Sequence, residues 1–226
     1  MLEVKKERSK LGILAAALLL ASAAWIWAEK QPQPLPKAFH AKTYPAHESH
    51  ENEKVSIAAD PYDMPDKAAI FVVNYRRSGF LPMHFIISND GDQPVSLVDM
   101  EVELITVEHS KIPPATVDDL YRRLGRQTRR GDEPSRNPLP VPLPKKVKPT
   151  VSREAQEEIE SMQFRARAVE AHSQQSGFLI FDVADIPNPL AGAHLYVHGL
   201  RDQNGKELFY FEIPMEKYLT YRPGRP

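Results

Sequence analysis

A mainly β fold, an antiparallel sandwich with few helices, is what the sequence predicts, and three observations carry that expectation. Short segments rich in Val, Ile and Phe recur through residues 54–214, each bounded by turn residues. Within Val95–Val107, Val98, Met100, Val102 and Leu104 alternate with Asp99, Glu101 and Glu103, the period of a half-buried strand. Asn204-Gly205 separates two apolar runs and supplies the positive φ angles of a tight hairpin.

The first half is expected to hold strands at Lys54–Ala59, Ala69–Tyr75, Pro82–Ser88 and Val95–Val107. Asn89-Asp90-Gly91-Asp92-Gln93-Pro94 lies before the last of them, and its Asp-Gly pair suits a hairpin turn. In the second half, Phe164, Ala166 and Ala168 alternate with Arg165 and Arg167. Gly177–Val183 is apolar on both faces, as a central strand is, and Ala193–Leu200 and Lys206–Ile213 flank the Asn-Gly turn.

Residues 110–162 interrupt the strands. Thr116 caps a short helix with Asp119 three residues on, and Val117, Leu120, Tyr121 and Leu124 form its apolar stripe, with Gly125 near its end. A basic, proline-rich stretch from Arg126 to Lys148 follows, where helix and sheet are both disfavoured. A second helix starts near Ser152, with Ala155, Ile159 and Met162 inward and Glu154, Glu157, Glu158 and Glu160 outward. Long irregular insertions of this kind are often functional.

Upstream, Lys5, Lys6, Arg8 and Lys10 precede an uncharged run, Leu11–Ala28. As a helix it would be ~27 Å long, about the hydrocarbon thickness, and it is apolar on every face. The positive-inside bias places the N-terminus in the cytoplasm and residues 29–226 beyond the membrane. Ala21-Ser22-Ala23 offers a signal-peptidase site, which would release the chain to the periplasm. Trp25 and Trp27 suit the interfacial belt of a retained helix, so a single-pass anchor is the expectation. The organisation is then an anchor or signal peptide at 1–28 and a proline-rich tether at 29–53. The sandwich follows at 54–214 with its insertion at 110–162, and a tail at 215–226.

Two segments carry a resemblance. Ile87-Ser88-Asn89-Asp90-Gly91-Asp92-Gln93-Pro94-Val95 precedes Val169-Glu170-Ala171-His172-Ser173-Gln174-Gln175-Ser176-Gly177-Phe178-Leu179-Ile180-Phe181. Together they resemble the uncharacterised exported immunoglobulin-like domains of bacteria, over roughly residues 54–110 and 163–214. The resemblance implies an immunoglobulin-like sandwich outside the cytoplasm, and it carries no active-site residues across.

Chemistry is sparsely signalled. The chain has no cysteine, which excludes disulfides, thiolate nucleophiles and zinc–thiolate sites. No GxSxG, P-loop or Rossmann pattern occurs, and no catalytic residue, cofactor or metal site is expected. His40, His47 and His50 lack the HExxH spacing and read as solvated linker; His194 and His198 on a strand would stand about 13 Å apart. His84 and His109 are lone histidines. Asp99, Glu101 and Glu103 read as a solvated face, and Asp90 and Asp92 lack the rest of a calcium loop.

The overall charge of −1 favours no partner class, but the insertion does. Arg122, Arg123, Arg126, Arg129, Arg130, Arg136, Lys145, Lys146 and Lys148 face only Asp132 and Glu133 within the basic stretch. Beyond the membrane such a field attracts lipid headgroups, anionic envelope glycans or an acidic protein surface. Pro138-Leu139-Pro140-Val141-Pro142-Leu143-Pro144 favours a polyproline II helix, a preordered ligand for an aromatic groove. The competing reading pairs these charges with Glu154–Glu160. A membrane-tethered binding or scaffold module is thus the expectation, and not an enzyme. An envelope hydrolase is the alternative; a nucleic-acid binder conflicts with the topology and with Tyr121 as the lone aromatic among the arginines.

Overall fold

Two long paired strands, one buried throughout and the other apolar on both faces over its second half, organise the molecule. The computed structural model describes residues 36–131 and 151–221, and for 126–131 the backbone only. They belong to the second of two compact units, Gln33–Pro226; the first, Met1–Pro32, with the expected membrane helix, lies outside the described residues. Among the described residues no helix is long and apolar enough to cross a membrane.

In chain order, β1 (His47–His50), β2 (Val55–Pro61), helix α1 (Pro65–Ala68), β3 (Phe80–Asn89), β4 (Val95–Ser96), β5 (Glu101–Ile105) and β6 (Lys111–Ile112) form the first half. Helices α2 (Val117–Gly131) and α3 (Arg153–Met162) follow. Then come β7 (Ala168–Val169), β8 (Ser173–Asp182), β9 (His194–His198), β10 (Phe211–Pro214) and α4 (Glu216–Thr220). One antiparallel sheet has the order β1-β2-β3-β8 and the other β10-β9-β5-β6; β4 pairs with β7 as a small third ladder. The mainly β, antiparallel architecture expected from the sequence is therefore present, consistent with a sandwich.

Alternation on β3 and β8 decides what each face buries. Leu81, Met83, Phe85, Ile87 and Phe181 point into the larger core with Val102, Leu104, Leu195, Val197, Phe211 and Ile213 of the second sheet. Phe80, Phe178 and Ile180 point the other way, into a core with Leu120 of α2, Ile159 and Met162 of α3, and Tyr62, Phe71 and Tyr75. The insertion's helices thus form a third layer over the first sheet. Each fully buried Leu, Ile or Phe contributes about 1.5–3 kcal/mol relative to exposure, so the outer face of this sheet cannot be left bare.

Several expectations change for identifiable reasons. Ala69–Tyr75 is a loop, because its apolar residues fill the second core and it joins no ladder. Val95–Val107 is two strands: the chain leaves the β4–β7 ladder at Leu97 and enters the second sheet at Glu101, which leaves Val98 57% exposed. Asn89–Pro94 is not a hairpin, since β3 pairs with β2 and β8. Its turn is built instead by the Asn89 side chain, whose Oδ1 accepts from Gly91 N at 2.9 Å and whose Nδ2 donates to Gln93 O at 2.8 Å. The Asn204-Gly205 turn does close the β9–β10 connection, with Gly205 at φ 76° and Asp202 N donating to Lys206 O.

Strand β8 is the edge of its ladder rather than central, and Gln163 and Pro114 bridge to Phe178 and Phe181 to cover it. The expected tether and tail also join the fold where described. Ala41 and Ala46 are fully buried and β1 pairs with β2; Met215 is buried and Lys217 donates to His47 O at 3.0 Å. Glu48 and Glu53 accept backbone N–H groups of Glu212 and Phe209. Helix α2 runs past Gly125 to Gly131.

Gly177 is where the covering segment comes closest. A Cβ there would stand 2.6 Å from Phe164 Cα, while Phe164 N donates to Phe178 O at 3.0 Å. Gly177→Ala should therefore cost about 1–3 kcal/mol, the range of overpacking, read as a lower urea midpoint with an unchanged slope.

Candidate functional site

The base of the insertion is built from its caps. Thr116 and Asp119 form the expected capping box: Asp119 N donates to Thr116 Oγ1 at 3.2 Å, and Thr116 Oγ1 donates to Asp119 Oδ2 at 2.7 Å. Those Thr116 bonds, with Arg122 behind them, hold the Asp119 carboxyl below its usual range. Ser152 caps α3 by accepting from Ala155 N at 3.2 Å. Both helices are thus anchored at their N-termini and packed by Leu120, Ile159 and Met162.

A cavity of about 370 Å³ opens beside the first turns of α2, lined by Phe80, Pro113, Pro114, Arg122, Arg123 and Asp182 among others. Arg123 forks onto Asp182, with Nη1 donating to Oδ1 at 2.7 Å and Nη2 to Oδ2, and its guanidinium lies 5.0 Å from the Phe80 ring centre. Arg122 pairs with Asp119 one turn earlier. These two cations are therefore matched by Asp182 and Asp119, not by Glu154–Glu160 as the competing reading supposes. Arg126, Arg129 and Arg130 continue along the α2 backbone, without description of their side chains. Arg136, Lys145, Lys146 and Lys148 lie outside the described residues.

Glu158 is a feature the sequence reading misplaces. It is buried, and its carboxylate accepts from Val72 N at 2.5 Å and Val73 N at 3.1 Å. It ties the loop after α1 to α3. Burial, then the neighbouring Glu158 charge, pushes the Tyr75 hydroxyl well above its usual range, and that hydroxyl reaches Met162 Sδ at 3.4 Å. The signal was present: Glu158 falls three residues after Ala155 and four before Met162, on the helix's inward stripe. On the outer side, Arg153 pairs with Glu157 at 2.8 Å and Tyr121 donates to Glu160 at 3.2 Å.

A second polar group surrounds His84. The imidazole is 2% exposed and stacks on Phe178 at 5.1 Å, with Tyr62 and Tyr44 edge-on at 6.4 and 6.3 Å. Burial first, and the positive Lys67 second, lower its pKa to about 4. Lys67 donates to Asp60 at 2.5 Å and lies over the rings of Tyr62 and Tyr218. Burial, Asp60 and Tyr44 push the Tyr62 hydroxyl up to about 12. These contacts bind α1, β2 and the C-terminal helix together, with Tyr218 donating to Asp63 at 2.7 Å.

The remaining histidines and carboxylates are dispersed. His40 bonds Asp90 at 2.8 Å, His172 bonds Asp92 at 3.0 Å, and His50 stacks on Phe211 at 3.9 Å rather than standing in solvated linker. Asp99, Glu101 and Glu103 face Arg201, His198 and Lys111 respectively. His194 and His198 lie on β9 as expected, and His109 sits at a left-handed turn with φ 62°. Among the described residues no group of three or more His, Asp or Glu could hold a metal ion.

No family model matches the chain, and no curated protein does. Among solved structures, a conserved hypothetical protein from Bacillus anthracis is similar at 10% identity, over 71% of this chain and 87% of that one, with a TM-score of 0.29.

Glu158→Ala would remove the acceptor of two part-buried N–H groups, those of Val72 and Val73, and should cost about 1–3 kcal/mol in urea unfolding. His84 gives a pH signature. Its folded pKa of about 4 lies below the 6.5 of the unfolded chain, so the unfolded state binds more protons between those values. Stability falls as pH drops from above 6.5 towards 4, by about 2–3 kcal/mol at pH 4.5. His84→Phe should remove that component from the difference in urea midpoint between pH 7 and 4.5.

Proposed function

We propose that the chain is a non-enzymatic, membrane-tethered binding or scaffold module outside the cytoplasm, presenting its basic, proline-rich insertion to a partner. The observation that carries this reading is the rooting of the insertion. Capped helices α2 and α3 are packed into the second core by Leu120, Ile159 and Met162, so the basic stretch departs from and returns to one fixed platform. Arg122 and Arg123 belong to that platform, paired with Asp119 and Asp182. The further cations, Arg126 to Lys148, are the part of the set assigned to contact. Their partner is an anionic envelope component or an acidic face of an envelope protein, drawn by the local positive field.

An immunoglobulin-like assignment of the scaffold is supported by strand order. β2, β3 and β8 follow one another as strands A, B and E do, and β10, β9 and β5 as G, F and C, with α2 and α3 interposed before E. The apolar run Leu11–Ala28 supports tethering, with cleavage after Ala23 as the route to a released periplasmic form.

Crosslinking in intact cells tests this reading. The wild-type chain should capture a partner, and Glu at Arg126, Arg129, Arg130, Lys145 and Lys146 should reduce capture to background. The wild-type signal should also weaken as salt rises, since exposed charges are screened over about 10 Å at 0.1 M. Unchanged capture by the reversed variant would remove the insertion as the contact.

A further inference from the structure

At three places among the described residues the chain seats a cation over an aromatic ring with a carboxylate beside it. Arg123 lies 5.0 Å from the Phe80 ring centre and forks onto Asp182; Lys67 lies 4.8 Å from that of Tyr218 and bonds Asp60 at 2.5 Å. On the outer face of the second sheet, Lys111 lies 6.0 Å from the Tyr196 ring centre and bonds Glu103 at 2.9 Å. Ring quadrupole and carboxylate attract the same cation, and together they hold it better than either alone.

That outer face extends beyond Lys111. Register places Tyr196 of β9 between Glu103 of β5 and Glu212 of β10, and His198 beside Glu101 in the next row. Tyr210, one residue before Phe211, falls level with His198, and its ring lies 5.2 Å from that of Tyr196. The second row is open to solvent, with Tyr210 50% exposed and the Glu101 side chain 71%. Glu101 is paired with the His198 imidazole at 3.5 Å, and among the described residues no cation lies over Tyr210 or pairs with Glu212. Arg201, the next cation beyond His198, bonds Asp99 at 2.9 Å and the carbonyl of Gly205.

Charge selects the kind of partner. On this face, among the described residues, Glu101, Glu103 and Glu212 stand against Lys111, so the surface is net acidic while its rings favour a cation. A guanidinium meets both demands: its plane lies flat on a ring while its N–H groups fork onto a carboxylate, as those of Arg123 do within the fold. We propose that the outer face formed by Tyr196, His198 and Tyr210 binds an arginine-bearing, extended segment of a partner protein, with a guanidinium on Tyr210 beside the carboxylates of Glu101 and Glu212. Tyrosine and arginine are among the side chains that dominate binding energy at protein interfaces. Alternate residues of an extended segment lie ~6.6 Å apart on one side, so two arginines fit within the ~10 Å across three strands. This contact is independent of the insertion, and its partner carries the opposite charge.

The test titrates the full-length chain, in micelles of an uncharged detergent, with a capped Gly-Arg-Gly-Arg-Gly peptide and follows tyrosine ring signals by NMR. The Tyr196 and Tyr210 rings should shift saturably, while those of the buried Tyr62 and Tyr75 stay fixed. Glu101→Gln with Glu212→Gln should raise Kd about tenfold, two exposed charge contacts being lost, with the Tyr62 and Tyr75 signals retained as the mark of an intact fold. Tyr210→Leu, at an exposed ring, should weaken binding as well. Glu51→Gln, at an exposed carboxylate elsewhere, should leave Kd unchanged; an equal loss there would mark diffuse acidic attraction and overturn the site. A lysine peptide should bind more weakly, and a citrulline peptide, which keeps the shape without the charge, should not bind. Equal binding by citrulline, or an unchanged Kd in the Glu101 and Glu212 variant, would overturn the charge-matched contact, and equal binding by lysine would overturn the guanidinium as the group recognised. Saturation of the same rings by a chitin oligosaccharide but not by the peptide would give the face to a sugar instead. No ring shift with the peptide would overturn the proposal outright.

Discussion

Most of strand β3 and the second half of β8, Gly177 to Phe181, are apolar on both faces, and the rest of the architecture follows from covering them. The second sheet closes one face through Val102, Leu104, Leu195 and Val197; the other is closed by Leu120, Ile159 and Met162 from the insertion. Phe178 shows the requirement most clearly, with Tyr62, Phe71 and His84 ringed about it at 5.0–5.2 Å. The insertion is consequently structural at its base, whatever its middle does. A helical layer that must pack cannot also wander, and this gives the basic stretch two fixed points of departure.

Polar chemistry in the second core serves the same end. A carboxylate at Glu158 substitutes for a missing strand partner by accepting the N–H groups of Val72 and Val73. Buried backbone donors must be satisfied, and one two-oxygen acceptor on α3 does so for a loop that no ladder reaches. His84 is held neutral in aromatic surroundings, and Lys67 is directed onto Asp60 and the faces of Tyr62 and Tyr218. Charge is thus spent inwardly near the helices, while the second sheet turns its carboxylates and aromatic rings outward.

Much of this was legible. Val-, Ile- and Phe-rich runs bounded by turn residues located β2, β3 and part of β8, the Asn204-Gly205 turn located β9, and the Thr116–Asp119 and Ser152 caps placed both helix starts, because these signals are local. What escaped depends on distant partners. The Ile70-Phe71-Val72-Val73 run has strand composition, yet its side chains go to the second core and its amides to Glu158. Gly125 reads as a stop although α2 continues to Gly131. Residues 41–50 look like linker, but Ala41 packs against Ile86 with its N–H donating to Ser88 Oγ at 2.9 Å, and Ala46 enters the larger core. At the insertion's base, the basic composition was evident, whereas the neutralisation of Arg123 by Asp182 required contact across 59 positions.

The side chains of Glu48 and Glu53 have a further implication. They occupy amides of Glu212 and Phe209 at the free margin of β10, donors that would otherwise lie open to any passing strand. The short N-terminal strand therefore acts as a guard against sheet-to-sheet stacking. A shortened form beginning beyond residue 53 would bare that margin next to Phe209, a ring already 75% exposed, and become a template for fibrous growth.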